Sequence, residues 1–316
     1  MNRRIAFLFP GQGAQYVGMG RDLYENGPSR VRELYEEASE VLGTDIARIS
    51  FEGPEEELLQ TVNTQPAILV HSVAVAELLR SEGVTPDFSA GHSLGEYSAL
   101  VTAGAFDFAD ALKVVKVRAE TMQSAGEENP GEMAAVLGLD SKKVRKACEK
   151  ASKVGTVQPA NYNAPDQTVI SGEKKAVKKA GQLCRDAGAR RVLDLKVHGA
   201  FHSPLMEPAV ESLRQTLRRA RMGQADVPVV SNVTARPAVR PEEIRELLGL
   251  QIIYPVRWFE SMEELDRMGT SSYIECGPGT VLKGLLKRTV EDTTVASAAA
   301  LEEIAAAVKS LEGGGS

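Results

Sequence analysis

Cysteine is scarce in this chain. Cys148, Cys184 and Cys276 are the only three, none at the close spacing of a metal site, and an odd, scattered set excludes a disulfide framework and fits a reducing compartment. They read as small core or surface residues. Positive charge is in deficit as well: 37 Lys and Arg against 43 Asp and Glu give a net charge of −6, the wrong balance for a general nucleic-acid binder. Long apolar runs are missing, so no membrane span is expected. The start MNRRIAFLFPGQG lacks the long apolar region and small-residue cleavage site of a signal peptide, and a cytoplasmic location is expected. The terminal GGGS reads as a flexible tail.

What is present is a globular composition of 316 residues, 43% hydrophobic and 25% charged, enough to bury one large core or two. IAFLF, closed by Pro10 and Gly11, reads as a buried strand of a parallel sheet. Helical apolar spacing follows from Val31 to Ala38, from about Ala67 to Leu79, and from Ala109 to Met122. Strands alternating with helices imply a sheet covered on both faces. In the middle third the order changes. EMAAVLGL, SKKVRKACEKAS, TVQPANYN, QTVISG, EKKAVKKAGQLCRDAG and RVLDLKV read as β-α-β-β-α-β, the ferredoxin-like split unit. Turn-rich ENPG and HGAFHSP bracket it, and α/β alternation resumes afterwards: a helix from Leu205, strand PVVS, helices near 241 and 258, strand SYIEC, and a helix from Val281. The expected fold is α/β: an α/β-hydrolase-like large domain with a parallel sheet, built from 1–128 and 198–310, and an inserted ferredoxin-like small domain at 129–197.

Charge is unevenly placed. From Ser141 to Arg191 there are 13 Lys and Arg against 4 Asp and Glu, a net of +9 that leaves −15 on the remainder. Such a segment is either a solvated face or a docking surface for an acidic partner.

Two glycine turns carry the chemistry. In FSAGHSLGEYSAL the G-x-S-x-G pattern follows a short apolar run and precedes a helix, a sharp turn that lifts Ser93 Oγ into solvent with the Leu94 N–H aimed at the same space. In FPGQGAQ, glycines after a strand let successive N–H groups form an anion nest. Were the two turns adjacent, Gln12 and Leu94 would supply a two-donor oxyanion hole. A nucleophilic serine also needs a base, and the chain holds four histidines. His71 lies inside a continuous apolar helix and reads as packed. His92 precedes the serine and would face away from it, in a supporting role. His198 and His202 sit where the inserted unit rejoins its host, and one of them is the base.

These motifs, together with KVRAETMQ, NAPDQTVISG, GAFHSPLM, QIIYPVRW and ECGPGTVL, occur in the order and spacing of one family. From about Ile5 to Leu286 the chain closely resembles the malonyl-CoA:acyl-carrier-protein transacylases and the acyltransferase domains of polyketide and animal fatty-acid synthases. The resemblance implies transfer of a malonyl group from malonyl-CoA to the phosphopantetheine thiol of an acyl carrier protein, with no metal or bound redox cofactor. It implies Ser93 as nucleophile, His202 rather than His198 as general base, Gln12 and Leu94 as oxyanion donors, and Gln251 with its backbone carbonyl on the histidine. It implies Arg118 as the grip on the malonyl carboxylate, a task for which a planar two-donor guanidinium is fitted. Met122 is expected to wall the acyl pocket, Asn161 and Asn163 to lie near the pantetheine path, and Phe201 to crowd an α-methyl group. The expected partner is an acidic carrier protein docked near the basic insert, on a monomeric enzyme.

Two other classes compete. A serine thioesterase or lipase would share the turn and add an acidic third member between serine and histidine; Asp166 and Asp194 fall in that interval, yet both belong to the inserted unit. A non-catalytic carrier-binding module would have no use for nucleophile, base and both glycine turns together.

Overall fold

The computed structural model describes residues 3–312 apart from 196, 198 and 292, with backbone alone for residue 312. Among the described residues ten strands are interspersed with helices: β1 Ile5–Phe9, β2 Phe88–Gly91, β3 Glu132–Leu137, β4 Val157–Ala164, β5 Gln167–Gly172, β6 Arg191–Asp194, β7 Val229–Val230, β8 Pro237–Ala238, β9 Ser272–Cys276 and β10 Thr294–Ala298. Six of them form one sheet in the order β10-β9-β1-β2-β7-β8. All its pairings are parallel except β7 with β8. β1 runs through the middle, which explains its unbroken apolar sequence. Its side chains alternate between faces: Phe7 and Phe9 join the larger core with the long helices, whereas Ala6 and Leu8 join a second cluster around Trp258, Met262 and Leu282.

The other four strands form an antiparallel sheet in the order β4-β5-β3-β6. With helices Ser141–Ala151 and Lys174–Asp186 this is the β-α-β-β-α-β unit expected from the sequence. Ala134 and Val136 pack under those two helices with Cys148 and Cys184. The opposite face, through Met133, Ala135 and Val169, belongs to the main core. The small sheet is thereby tied to the main unit, with β4 against the helices Trp258–Arg267 and Val281–Leu286, and Met133 lines the cavity described below.

Several boundaries differ from expectation. The helix expected from Ala67 runs over Thr61–Ser81 and carries Pro66 inside it; proline usually ends the helical reading because it lacks an N–H, but 16 residues of this helix are buried, and packing holds the extra turn. The helix expected over Ala109–Met122 extends to Phe108–Glu128, capped by the Asp107 side chain. Strand PVVS is reduced to Val229–Val230, RVLDLKV to Arg191–Asp194, and a short turn of 3₁₀ helix precedes helix Glu207–Arg219. Several elements went unread: the short helices Arg21–Asn26, Ile46–Glu52 and Glu55–Leu58, the two-residue β8, β10, whose TVASA is mostly partly exposed at the sheet edge, and the helix Leu301–Glu312. Among the described residues no helix is long and apolar enough to cross a membrane.

Candidate active site

The site is built where β1 and β2 end side by side. His92 N donates to Phe9 O at 2.9 Å, so the two glycine turns are in contact. A Cβ on Gly11 would fall 2.4 Å from His92 O, one on Gly91 1.9 Å from the Gly95 backbone, and one on Gly95 2.0 Å from Phe9 O. No side chain fits in these places. Ser93, at the apex, has φ +52°, a left-handed conformation that costs a non-glycine residue stability and that the surroundings must enforce. Asn232 does so: its Oδ1 accepts from Ser93 N at 2.7 Å while its Nδ2 donates to Gly91 O at 2.6 Å.

Ser93 Oγ lies 2.8 Å from His202 Nε2, and His202 Nδ1 lies 2.8 Å from the backbone oxygen of Gln251. A carbonyl only accepts, so Nδ1 carries the proton and donates, and the Nε2 lone pair faces the serine hydroxyl. Burial, then the nearby Arg118 charge, pushes the His202 pKa down to about 3. The ring is neutral at pH 7, as a proton acceptor must be. His202 also has φ +55°; Gln158 Nε2 steadies that turn by donating to His202 O at 2.8 Å and to Ile253 O at 3.1 Å. His198 lies outside the described residues.

Arg118 comes from the helix Phe108–Glu128 and is 1% exposed. Its Nη2 donates to Ser93 Oγ and to Gln251 Oε1, both at 3.0 Å, and its Nη1 to Gln65 Oε1 at 2.7 Å. Its guanidinium sits 5.4 Å from the Tyr97 ring centroid. Nε has no partner among the described residues, and desolvation lowers the guanidinium pKa.

These groups line one small cavity of about 110 Å³ that also takes in Gln12, Leu94, His92, Asn161, Met122, Met133 and Phe201. Among the described residues no acceptor engages the Gln12 or Leu94 amide. Ten of the eleven residues singled out from the sequence line the cavity or hydrogen-bond the reacting pair. The eleventh, Asn163, stands one step back: its Oδ1 accepts from His92 Nε2 at 2.8 Å, and the His92 ring packs at a tilt 5.4 Å from the Trp258 ring. A larger cavity of about 520 Å³, lined by Gln60, Thr61, Gln123, Gly126, Pro130 and Gly199, shares Val197 with the small one.

The sequence reading missed Gln65, Glu96, Asn232 and Gln158, ordinary polar residues that only the fold brings to the site. The two acidic candidates for a hydrolase triad are elsewhere: Asp166 pairs with Arg288, and Asp194 lies in β6, opposite Ala134. His71 is fully buried, with Nε2 3.0 Å from Ala299 O, as its apolar context suggested.

Comparison with known proteins decides the family. Residues 6–309 match the acyl transferase domain. The chain belongs to this acyl transferase family. This acyl transferase is 46% identical over 310 residues to the malonyl CoA-acyl carrier protein transacylase of Bacillus subtilis strain 168, covering 98% of each chain. It is 44% identical to the protein of that name from Escherichia coli K12, over 98% of this chain and 99% of the other. Among solved structures it is similar, with a TM-score of 0.94 and 41% identity over 97% of this chain and 99% of the other, to one described as a type II polyketide-synthase acyl-carrier protein in complex with its malonyl-transacylase. Malonyltransacylase from Streptococcus pneumoniae gives a TM-score of 0.93 at 44% identity over 97% of this chain and 100% of the other.

Proposed function

We propose that this acyl transferase moves a malonyl group from malonyl-CoA to the phosphopantetheine thiol of an acyl carrier protein through a malonyl-Ser93 intermediate. One observation carries the reading: a serine aligned on a neutral histidine shares a cavity with a buried arginine that has an unpartnered N–H. The first two make an acyl-serine; the third selects an acyl group that ends in a carboxylate.

In the first half-reaction His202 Nε2 takes the Ser93 proton as Oγ attacks the thioester carbonyl, and the Gln12 and Leu94 amides receive the developing oxyanion. The Gln251 carbonyl holds the ring in the required tautomer and accepts a stronger hydrogen bond once the ring is charged. Collapse breaks the C–S bond, His202 returns the proton to sulfur, and coenzyme A leaves. In the second half-reaction the carrier's thiol gives its proton to the same nitrogen and attacks the acyl-serine carbonyl, regenerating Ser93–OH. No electrons are exchanged, so the chemistry calls for no redox cofactor, and the two amides fill the place of a Lewis acid.

Arg118 grips the distal carboxylate through Nε and the Nη donors, with Met122 and Phe201 packed around the methylene. The larger cavity beside Val197 takes the pantetheine arm, which reaches the small cavity where Asn161 and His92 line the wall and Asn163 holds His92. The segments 1–128 and 198–310 form the catalytic domain, 129–197 the inserted one, and the monomer is complete. An acidic carrier docks against the exposed basic side chains of the insert, among them Lys175 and Lys178. Lys174 contributes less, because it already pairs with Glu132 at 2.8 Å. The test is intact-protein mass spectrometry after separate exposure to malonyl-, methylmalonyl- and acetyl-CoA: a malonyl adduct that a thiol acceptor discharges is expected, and failure to form an adduct refutes the reading.

A further inference from the structure

Arg118 is a buried cation with no carboxylate in contact among the described residues. An isolated buried charge is costly, and proteins normally pair it. A direct partner would occupy the donors needed for a substrate carboxylate. The acid nearest in the hydrogen-bond chain is Glu96, four percent exposed in the first turn of the helix after the nucleophile. Its Oε2 accepts from Gln251 Nε2 at 2.7 Å and from Asn232 N at 3.2 Å. Gln251 Nε2 also donates to Ser93 O at 3.0 Å, and Gln251 Oε1 accepts from Arg118 Nη2 at 3.0 Å. One amide thus stands between the acid and the cation. The acceptors Glu96 and Ser93 O on one side and the donor Arg118 on the other allow that amide only one orientation.

Resting on the function proposed above, we propose that Glu96 is a positioning residue and remote counter-ion. By fixing the Gln251 amide it holds that residue's carbonyl on His202 and its Oε1 on Arg118, and it balances the guanidinium without occupying the donors that face the cavity. The same carboxylate, through Asn232 N, braces the side chain that clamps the serine turn. Glu96 touches neither substrate nor reacting atoms; it acts through Gln251 and Asn232. The charged or titratable groups that act on it are Arg118 and Tyr97, and burial, opposed by its hydrogen bonds and by Arg118, pushes its carboxyl up to about 7.

The experiment compares wild type, Glu96→Gln and Glu96→Ala at pH 8, where the wild-type carboxylate is charged. Single-turnover acylation of Ser93 by malonyl-CoA and acetyl-CoA is followed by intact mass. Rates are normalised to the serine titrated by a neutral sulfonyl fluoride, so loss of folded protein does not count. Alanine leaves Gln251 unheld and slows acylation by both donors on the order of 10²-fold. Glutamine keeps an acceptor for Gln251 and so falls closer to wild type. It removes the negative charge that opposes a second carboxylate at Arg118, and the malonyl-to-acetyl ratio of kcat/KM rises about threefold or more. A merely structural role would leave that ratio unchanged. An unchanged ratio in Glu96→Gln, or equal losses in both variants, overturns the inference while leaving malonyl transfer intact. A wild-type protein that takes no malonyl group overturns the proposed function and this inference together.

Discussion

Replacing Arg118 by alanine removes the one cation that lines the reacting cavity among the described residues, and the size of the effect follows from burial. At 1% exposure the guanidinium is shielded from solvent, so a malonyl carboxylate brought into contact with it is desolvated too. Removing one partner of such a buried pair costs roughly 2–5 kcal/mol, most of it the penalty of leaving the other charge unpaired. At 1.4 kcal/mol per decade, malonyl acylation of Ser93 should slow by about 30-fold to several thousand-fold. Acetyl-CoA brings no carboxylate. It does feel the loss of the Arg118 Nη2 bond to Ser93 Oγ, but it gains a cavity free of a cation that an acetyl group cannot pair, so its rate should hold or rise. Lysine should recover only part of the malonyl rate, since it keeps charge but not the fork. The assay is stopped-flow or quenched acylation with each donor, scored by intact mass. Equal slowing of malonyl and acetyl transfer in Arg118→Ala would refute the reasoning and leave Arg118 as a structural residue.

Four further outcomes are expected. His202→Ala should slow acylation by roughly 10²–10⁴-fold, and His198→Ala far less; the reverse ranking, read in the same assay, would put the base at the other histidine. Because the His202 pKa is depressed to about 3, the neutral base persists as pH falls, and labelling of Ser93 by a neutral sulfonyl fluoride should stay flat from pH 8 to 5; a sigmoidal loss with a midpoint near 6.5, the ordinary imidazole value, would contradict this. Asn232→Ala leaves Ser93 N and Gly91 O without their partner and should destabilise the fold by about 1–3 kcal/mol while lowering acylation; denaturant melts checked against rates separate the two effects. Reversing the charge of Lys174, Lys175 and Lys178 should slow transfer to an acidic carrier in a salt-dependent way and spare transfer to free pantetheine; equal losses with both acceptors would make that surface structural.

Legibility in the sequence followed how local each feature is. The serine turn could be read because two glycines, a serine and a flanking strand and helix lie within a dozen residues, and each is needed where it stands: a Cβ at Gly91 or Gly95 meets backbone. The inserted unit could be read because its β-α-β-β-α-β order is contiguous. Contact between the glycine turns could not, because it depends on β1 and β2 being neighbours in the sheet, and nothing within either segment encodes that. Gln65, Glu96 and Asn232 carry no signature of their own. Their roles come from the geometry that brings residues 65, 96, 118, 232 and 251 around one serine. β8, Pro237–Ala238, is too short for a periodic signal, and β10 is too polar for an interior strand because it lies at an edge. Pro66 hid the first turns of its helix for the opposite reason: tertiary burial outweighed a strong local breaker.

The central claim is that Ser93 carries the malonyl group between two thiols. It is tested most directly by mixing the protein with malonyl-CoA, locating the adduct by peptide mass spectrometry, removing free donor, and adding holo-acyl carrier protein. One malonyl group on Ser93 is expected, absent from Ser93→Ala, stable in buffer, and passed to the carrier's phosphopantetheine on mixing. An adduct that persists in Ser93→Ala, or one that releases malonate to water as fast as it reaches the carrier, would contradict the account.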